Sequence, residues 1–416
     1  MQSCCSRPCE FTVTGDVANI ANRTEPESTN WRAVFSLSLG VVGFIVAEML
    51  PASLLTPMAS DLGVTEGMAG QAVTTTSFVA LFSSVLMAPA TRRFDRRAVL
   101  LSFAALLVIS NLLVVLAVNY PMLLAARVLL GIGLGGFWAM AAAVSVRMAS
   151  LAMVPRALSI VYGGVSIGMV AAGPLGTYVG GIIGWRGVFL GTALLALAAF
   201  IWQFLVLPPI RLNSQSRLRT LVDLIKRPQI AVGNISMFLT FGSHFVFFTY
   251  LRPFLERVCD LGVDGIAGIF LGFGVANLAG SAVAGAMVRR GLHRTLTAMP
   301  LLMAGLAFGL VAAGSSVLLA TVIIAGWGFA FGIFPVAWAA WMARAAPDET
   351  ESMGGLQQAA NQTAITVAAG MGGVLLDAYG PRSPFIAAGI VAILATALIL
   401  AKLRPQEAQR ASTTDG

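Results

Sequence analysis

Two oppositely charged residues lie within stretches that are otherwise apolar. Glu48 sits inside the run 33–55, and Arg127 lies six residues into the run that begins at Pro121. A charge at bilayer depth costs about 2.5–3.5 kcal/mol, so ionisable residues there usually face a cavity or pair with one another. A low dielectric favours the neutral carboxyl and a nearby guanidinium favours the carboxylate, so such an acid can bind and release a proton. We predict that the two residues are a proton-coupling pair; the alternative is a static pair that fixes helix packing.

A second set of candidates offers ring faces and a titratable imidazole. All of them lie in apolar runs. One run contains His244, Phe247, Phe248 and Tyr250, and two other runs contain Trp138 and Trp327. Stacking of a nucleic-acid base on an aromatic side chain contributes about 1–3 kcal/mol, and histidine titrates near neutral pH. These residues are therefore predicted to contact a flat substrate. The alternative is that the histidine is structural and the rings fill helix interfaces.

Side-chain amides form a polar stripe at spacings that share one face of a helix. The stripe comprises Gln357, Gln358, Asn361 and Gln362. Asn and Gln can bond bidentately to a purine edge, as they do to adenine in nucleic acids. They can equally bridge helices inside a membrane. We predict that Gln358, Asn361 and Gln362 bind substrate, with the bridging role left open.

The elements that position these residues are membrane-spanning helices. Hydrophobic residues make up 57% of the chain, charged residues only 11%, and the mean hydropathy is +0.85. Since about 20 apolar residues span a bilayer as a helix, the sequence predicts twelve spans. They lie near 33–56, 69–90, 98–118, 121–143, 157–182, 187–207, 229–252, 266–288, 295–313, 317–341, 353–376 and 384–403. The predicted fold class is an all-α polytopic membrane protein.

The net charge of +8 is unevenly distributed, and this distribution indicates how the chain is oriented in the membrane. With the N-terminus in the cytoplasm, cytoplasmic segments hold 21 of the 26 Lys and Arg residues, outer loops hold four and the membrane holds one. Cytoplasmic loops are enriched in these residues. We therefore predict that both termini are cytoplasmic and that the chain binds lipid, not nucleic acid. The polar tail 1–30, with Cys4, Cys5 and Cys9, lacks a signal-peptide pattern and is predicted to be disordered.

The chain is predicted to be a tandem duplication of a six-helix unit. Asp61-Leu-Gly-Val recurs as Asp260-Leu-Gly-Val, and an offset of 198 also relates Arg92 to Arg290. Two pseudo-symmetric six-helix bundles at 31–207 and 229–403 are thus expected. A basic linker at 208–228, with a surface helix near 218–226, and a cytoplasmic tail at 404–416 complete the predicted domains. Parallel halves with the substrate site between them are one transporter architecture.

Small residues recur at every fourth position in four of the predicted spans. These small-residue rows are Ala72/Thr76/Ala80/Ser84/Ala88, Gly164/Gly168/Ala172/Gly176/Gly180/Gly184, Gly268/Gly272/Ala276/Gly280/Ala284 and Ala360/Ala364/Ala368/Gly372. Such rows let helix backbones approach closely. We predict that the second span meets the eleventh, and the fifth meets the eighth, along these rows.

Several motifs resemble those of the major facilitator superfamily, in its twelve-helix drug:proton antiporter type. Arg127-Val-Leu-Leu-Gly-Ile-Gly resembles the family's fourth-helix motif, and Gly173-Pro-Leu-Gly the fifth-helix antiporter motif. The loop 88–97 keeps only a basic cluster and one aspartate of the family pattern. The resemblance covers roughly residues 31–405 and implies a fold whose first, fourth, seventh and tenth helices line a cavity. It also implies that Arg127 assists proton transfer.

Three stretches indicate a substrate class through the same resemblance. Residues 53–80, 127–140 and 247–253 are similar to bacterial purine ribonucleoside efflux pumps, which are relatives of sugar and arabinose exporters. The resemblance implies export of inosine- or guanosine-like nucleosides by proton antiport. We also predict that the protein lies in the bacterial inner membrane and acts as a monomer. A sugar or drug exporter of the same superfamily is the alternative. A non-transporting membrane sensor is the least favoured interpretation, because it needs neither an acid–arginine pair nor duplicated halves.

Enzyme chemistry has no support in the sequence. The run Gly131-Ile-Gly-Leu-Gly-Gly lies inside an apolar helix and follows no strand, so it is not a dinucleotide-binding loop. A Walker sequence, a nucleophile–base set and a metal-ligand cluster are all absent from the sequence. We therefore predict a transporter that is not an enzyme, uses no cofactor or metal, and is driven by the proton gradient.

Overall fold

A computed structural model describes residues 29–91, 94–150, 153–209, 226–313, 315–345 and 350–403. Within these ranges the chain forms helices and the turns that join them. The helices are α1 (Trp31–Ser53), α2 (Leu55–Leu62), α3 (Glu66–Ala90), α4 (Arg96–Val115), α5 (Tyr120–Met148), α6 (Val154–Val206), α7 (Pro228–Thr249), α8 (Leu251–Arg257), α9 (Val263–Arg290), α10 (Leu292–Ala313), α11 (Val317–Ala345), α12 (Thr350–Tyr379) and α13 (Ser383–Lys402).

The predicted twelve-span architecture is confirmed. Eleven helical stretches are long and apolar enough to cross a membrane. The longest of them, within α6, holds two spans, because Gly184 interrupts it with φ 76° and ψ 162°. Only glycine adopts that conformation without a steric penalty. The two short helices α2 and α8 continue the first and seventh spans.

Polar residues at the loop boundaries determine where several helices begin. The side chains of Asn30, Thr65 and Asn119 each accept a backbone N–H from the first turn of α1, α3 and α5 respectively. These bonds satisfy N–H groups that have no partner inside the helix. The helix ends at the aqueous boundaries are thereby stabilised, while the apolar interiors cross the bilayer.

The helix interruptions repeat between the two halves. The first span breaks at Leu54, before α2, and the seventh breaks at Tyr250, before α8. Gly184 and Gly380 both have positive φ and lie between the last two spans of their respective halves. The difference in residue number is 196 in each case (54 to 250 and 184 to 380). This correspondence agrees with the predicted duplication, although the bundle boundaries remain a prediction.

The two halves meet through the helices that the sequence pairs. The second span, α3, packs against the eleventh, α12, and the first part of α6 packs against α9. Inside each half, α1 packs on α6, α3 on α5, and α9 on α11. The pairing of the second span with the eleventh, and of the fifth with the eighth, is confirmed.

The role predicted for the small-residue rows is wrong. A Cβ added to Gly164 or Gly168 would meet α1, at Ser38 and Ile45, and one added to Gly280 would meet the Phe329 backbone of α11. The glycines of these rows that make close contacts therefore face helices of the same half. The contact between α6 and α9 uses the neighbouring face, where a Cβ added to Gly274 would lie 3.1 Å from the Val170 side chain.

Some glycines of the small-residue rows lie where two helix backbones approach most closely. Glycine removes the side chain that would hold two helix backbones apart. The closest approaches occur inside each half, where carbonyl oxygens of one helix lie directly over glycines of another. The contact between α6 and α9 is instead filled by longer side chains, such as Phe270 against Gly173. Between α3 and α12 the backbones do approach closely, at Gly67 and Gly373.

Several predicted segments lie outside the described residues. They are the tail up to residue 28 with its three cysteines, Arg92 and Arg93, most of the linker with its expected surface helix, and the segment from 404 onward.

Candidate functional site

Glu48 is buried near the contact between the two halves. It lies on α1, and its side chain is 5% exposed. Its carboxylate accepts a hydrogen bond from the side chain of Gln362, which lies on α12 in the other half. The second oxygen, Oε1, has no hydrogen-bond partner among the described residues. One carboxyl group therefore links the two bundles and still has capacity for a proton or another donor.

Arg127 lies beside this carboxylate but is held by the backbone. Its Nη1 donates to the carbonyl of Ala47 at 2.9 Å, and its guanidinium carbon lies 4.9 Å from the centroid of the Phe189 ring. The charges of Arg127 and Glu48 lie close enough to interact electrostatically. The salt bridges of the described residues lie elsewhere, so the expected direct ion pair is not formed in this state.

The arrangement around Arg127 leaves donors free next to the acid. Its Nε and Nη2 atoms are buried and have no hydrogen-bond partner within the described part of the chain. Unsatisfied buried donors cost about 1–3 kcal/mol each, and more when the group is charged. The side chain is therefore positioned to stabilise a negative charge that arrives or develops near Glu48.

The predicted aromatic residues form a packed cluster. Trp327 donates its indole N–H to Nδ1 of His244 at 3.1 Å. The Trp327 ring also stacks on Phe247 at 3.9 Å between centroids, and His244 stacks on Phe331 at 3.4 Å. Phe248 completes the group through contacts with Phe273 and Phe270. In this state Phe247 and Trp327 cover a ring face of each other, and Phe331 covers a ring face of His244.

Tyr250 and Trp138 lie apart from that cluster. Tyr250 is fully buried at the break between α7 and α8, where its hydroxyl donates to the carbonyl of Ala369 on α12. Its ring packs on Gly70 of α3 as well as on α12, so it fills the joint between the halves. Trp138 is partly buried and packs against apolar core residues from its position on α5.

The amide stripe on α12 is only partly buried. Gln362 is 3% exposed and bonds to Glu48, whereas Gln358 and Asn361 are half-buried. Oδ1 of Asn361 and Oε1 of Gln362 are both buried without a hydrogen-bond partner among the described residues. Glu48, Arg127 and Gln362 thus form one polar locus, which includes the unpartnered Oε1 of Gln362.

We define the distal end as the end of the bundle at which α1 ends, at Ser53. A set of polar contacts lies there that was not predicted from the sequence. Arg252 of α8 donates to the carbonyl of Ser53 and to Glu256, the latter at 2.7 Å. Glu256 also accepts the hydroxyl of Thr56 from α2. The C-terminal half therefore bonds to the last turn of α1 and to α2.

Two more contacts extend this connection across α3. Arg257 pairs with Glu66 at 2.7 Å, and Glu66 is 6% exposed. Asp377 accepts from the hydroxyl of Thr65 at 2.6 Å and from the backbone N–H of Gly67 at 3.1 Å. We call these contacts, together with those of Arg252 and Glu256, the distal latch.

The internal repeat contained a signal for the distal latch. Arg252 and Ser53 are 199 residues apart, and Glu256 and Thr56 are 200 residues apart. These separations are close to the repeat offset of the sequence. Equivalent positions of two pseudo-symmetric halves approach each other near the axis that relates them, so such pairs are expected to touch there.

Comparisons with known proteins agree with this architecture. The family model of the Major Facilitator Superfamily matches residues 37–368 and again 273–416. The chain is 40% identical to the purine ribonucleoside efflux pump NepI of Salmonella enteritidis over 389 residues, which are 93% of this chain and 98% of that protein. The pump of the same name from Shigella dysenteriae is 40% identical over 90% of this chain and 95% of its own.

A solved structure supports the fold. The crystal structure of a D-xylose-proton symporter superposes with a TM-score of 0.74, covering 91% of this chain and 99% of that one. At 16% sequence identity, this similarity concerns the fold and not the substrate.

Proposed function

The chain belongs to the major facilitator superfamily, and from this premise we propose that it exports purine ribonucleosides across the bacterial inner membrane in exchange for protons. The observation that carries the proton coupling is the buried Glu48 carboxylate, which bonds to Gln362 of the other half. The substrate class rests on the 40% identity to purine ribonucleoside efflux pumps over nearly the whole chain.

In the proposed cycle Glu48 carries the coupling proton. A charged carboxylate holds the Gln362 amide strongly, because hydrogen bonds to ionised groups are about twice as strong as neutral ones. A proton from the outside neutralises Glu48 and weakens that bond, so the two halves can change their relative position. Release of the proton to the cytoplasm restores the bond and the site that loads nucleoside.

Arg127 is proposed to stabilise the deprotonated acid. Its fixed bond to the Ala47 carbonyl holds the guanidinium next to Glu48, and its remaining N–H groups are unpartnered in the described chain. A nearby positive charge favours the carboxylate over the neutral acid. Arg127 thereby assists proton release toward the cytoplasm.

The substrate is proposed to bind between the halves, near the half-buried amides of α12. Gln358 and Asn361 offer amide groups that suit the edge of a purine. In the closed cluster, His244, Phe247, Phe248 and Trp327 form the wall behind the site, and any stacking on them requires the cluster to open. Tyr250 and Trp138 are proposed to act through helix packing near the site.

The driving force is sufficient for export. Each pH unit contributes about 1.4 kcal/mol per proton, and each 100 mV of membrane potential about 2.3 kcal/mol per charge. One proton therefore supports a nucleoside gradient of tenfold to more than a hundredfold. The proposed transporter works as a monomer, with both termini and the linker in the cytoplasm and the distal latch on the outer side.

The decisive experiment compares Glu48 variants in proteoliposomes with an imposed pH gradient and labelled guanosine or inosine. Glu48→Gln should lose gradient-driven transport yet still exchange labelled for unlabelled nucleoside. Glu48→Asp, which retains a titratable group, should keep part of the driven transport. Wild-type driven transport by Glu48→Gln would contradict the coupling role. Transport of sugars or lipophilic cations without nucleosides would contradict the substrate class.

A further inference from the structure

A groove opens toward the lipid between α6 and α9. It has a volume of about 680 Å³ and is lined almost entirely by apolar side chains. Large apolar residues line its walls and are about half exposed, namely Ile167 and Leu175 on α6 and Leu271 and Leu278 on α9. Because these helices cross a membrane, the groove lies within the hydrocarbon region.

The floor of the groove is the line along which the two halves touch. Val170 contacts α9 at Gly274, and Phe270 of α9 lies over Gly173. Next to this line Gly268 has nothing within 4 Å of the position that a Cβ would occupy. The space over Gly268 is therefore open, and one wall of the groove belongs to each half of the molecule.

The length and the polar end of the groove indicate its occupant. Asp264 and Leu278 are both lining residues, and fourteen helical steps between them span about 21 Å. One leaflet of a hydrocarbon core is about 15 Å thick, so the groove has room for an acyl chain along the whole leaflet. The exposed carboxylate of Asp264 and the ring of Tyr178 lie at the distal end of this groove, where aromatic side chains commonly meet headgroups.

We propose that this groove binds one phospholipid whose headgroup carries a primary amine. Its acyl chain lies over Gly268, and its ammonium group lies beside the carboxylate of Asp264. A choline headgroup bears the same charge but has no N–H to donate, and a glycerol headgroup leaves the lipid with a net negative charge. The carboxylate therefore favours the amine headgroup over both. The inference does not depend on which substrate the transporter carries.

The test measures lipid retained by the purified, full-length protein from mixed vesicles. The vesicles contain equal amounts of phosphatidylethanolamine, phosphatidylcholine and phosphatidylglycerol, and bound lipid is counted by native mass spectrometry. Gly268→Leu places a bulky apolar side chain in the groove, at a position where a Cβ has nothing within 4 Å. Gly305→Leu is the matched control, because Gly305 is an exposed glycine of α10 that also has nothing within 4 Å of its Cβ position.

We expect the wild-type protein and Gly305→Leu to retain one phosphatidylethanolamine, and Gly268→Leu to lose most of it. Asp264→Asn should keep a bound lipid but select phosphatidylethanolamine over phosphatidylcholine several-fold less. Equal retention by Gly268→Leu and Gly305→Leu would overturn the site. Equal retention of the three lipids by the wild-type protein would overturn the headgroup assignment. Both glycine variants gain helix propensity, and a thermal melt of each verifies that it is folded.

Discussion

Gln362 connects the protonation state of the Glu48 carboxyl to the other half of the protein. The amide is buried, belongs to α12 and donates to the carboxylate on α1. A hydrogen bond to a charged group contributes about 1.5–3 kcal/mol, which corresponds to a tenfold change or more in an equilibrium constant. A change at Gln362 should therefore affect the coupling of transport to protons, and not simply the affinity for substrate.

The first prediction compares Gln362→Leu with Gln358→Leu. Gln362→Leu removes the bond to Glu48, so we expect driven nucleoside transport to fall at least tenfold and its pH profile to shift. Gln358 lies one turn earlier on α12 and is half-buried. Gln358→Leu should mainly raise the KM for nucleoside. Both parameters come from initial rates in proteoliposomes at several pH values. An unshifted pH profile for Gln362→Leu would contradict the proposed link.

The second prediction concerns the stacked pair Phe247 and Trp327. Both rings are fully buried, so Phe247→Ala leaves a cavity against Trp327. Removing a buried phenylalanine side chain typically costs about 3–5 kcal/mol. We expect a clearly lower Tm in detergent, followed by tryptophan fluorescence, together with reduced transport.

The matched control for Phe247→Ala is Phe82→Ala on the lipid-facing side of α3. Phe82 is about half exposed, at 50%, so its removal should change Tm little. If Phe247→Ala keeps the Tm of the wild type but loses substrate affinity, Phe247 serves substrate stacking and not the packing of the cluster.

At the scale of helices, the positions of glycines decide which pairs approach most closely. A Cβ on Gly280 of α9 would collide with the backbone of Phe329 on α11, whereas one on Gly272 of the same helix would meet nothing within 4 Å. Both glycines belong to one row in the sequence. Their different surroundings provide a direct test of the packing.

The third prediction is that Gly280→Ala destabilises the protein and Gly272→Ala does not. Forcing an extra methyl group into a packed interface costs about 1–3 kcal/mol. At an open position, alanine gains up to about 1 kcal/mol over glycine in helix propensity. We expect Gly280→Ala to lower the Tm in detergent and Gly272→Ala to leave it equal or slightly higher. A shared decrease would place both glycines at tight interfaces.

The pairs of helices that meet could be predicted from the sequence. The helix faces along which they meet could not. Apolar length fixed the number of spans, and the repeat related the two halves, because both properties are periodic in the chain. The small-residue rows identified close packing correctly, yet Gly164 and Gly168 face α1 and not α9. Most faces of the spans are apolar, whether they meet lipid, a neighbour in the same half or the partner half, so hydrophobic periodicity does not distinguish among these faces.

The candidate site shows the same division between predictable and unpredictable features. Glu48 and Arg127 were identifiable because a charge in hydrocarbon is costly wherever it points. Gln362 was one of several amides, and its contact with Glu48 depends on how the halves are brought together. The distal latch joins residues of the two halves, and its partners lie from about 190 to 312 residues apart in the chain.

For the whole molecule, the distal latch closes one end of the boundary between the halves. Arg252 and Glu66 are each 6% exposed and bond across that boundary. A hydrogen bond to a charged group contributes about 1.5–3 kcal/mol, and the bond that Arg252 makes across the boundary is the one to the Ser53 carbonyl. A transporter that opens alternately at its two ends must break these contacts to open this one, so weakening them should favour the distally open state.

The fourth prediction is that Arg252→Ala opens the distal end, whereas Arg186→Ala does not. Arg186 also forms a salt bridge at this end, but its partner Asp61 belongs to the same half. Spin labels are attached at Val64→Cys and Leu261→Cys in a variant without the four native cysteines. Pulsed electron paramagnetic resonance then measures the distance between the labels, and so the separation of the halves.

Arg252→Ala should give a longer and broader distance distribution than the labelled protein that retains Arg252. Arg186→Ala should reproduce the unmodified distribution, because its salt bridge does not cross the boundary. Identical distributions for all three proteins would mean that the distal latch does not hold the halves together, and closure would then rest on the apolar contact between α3 and α12.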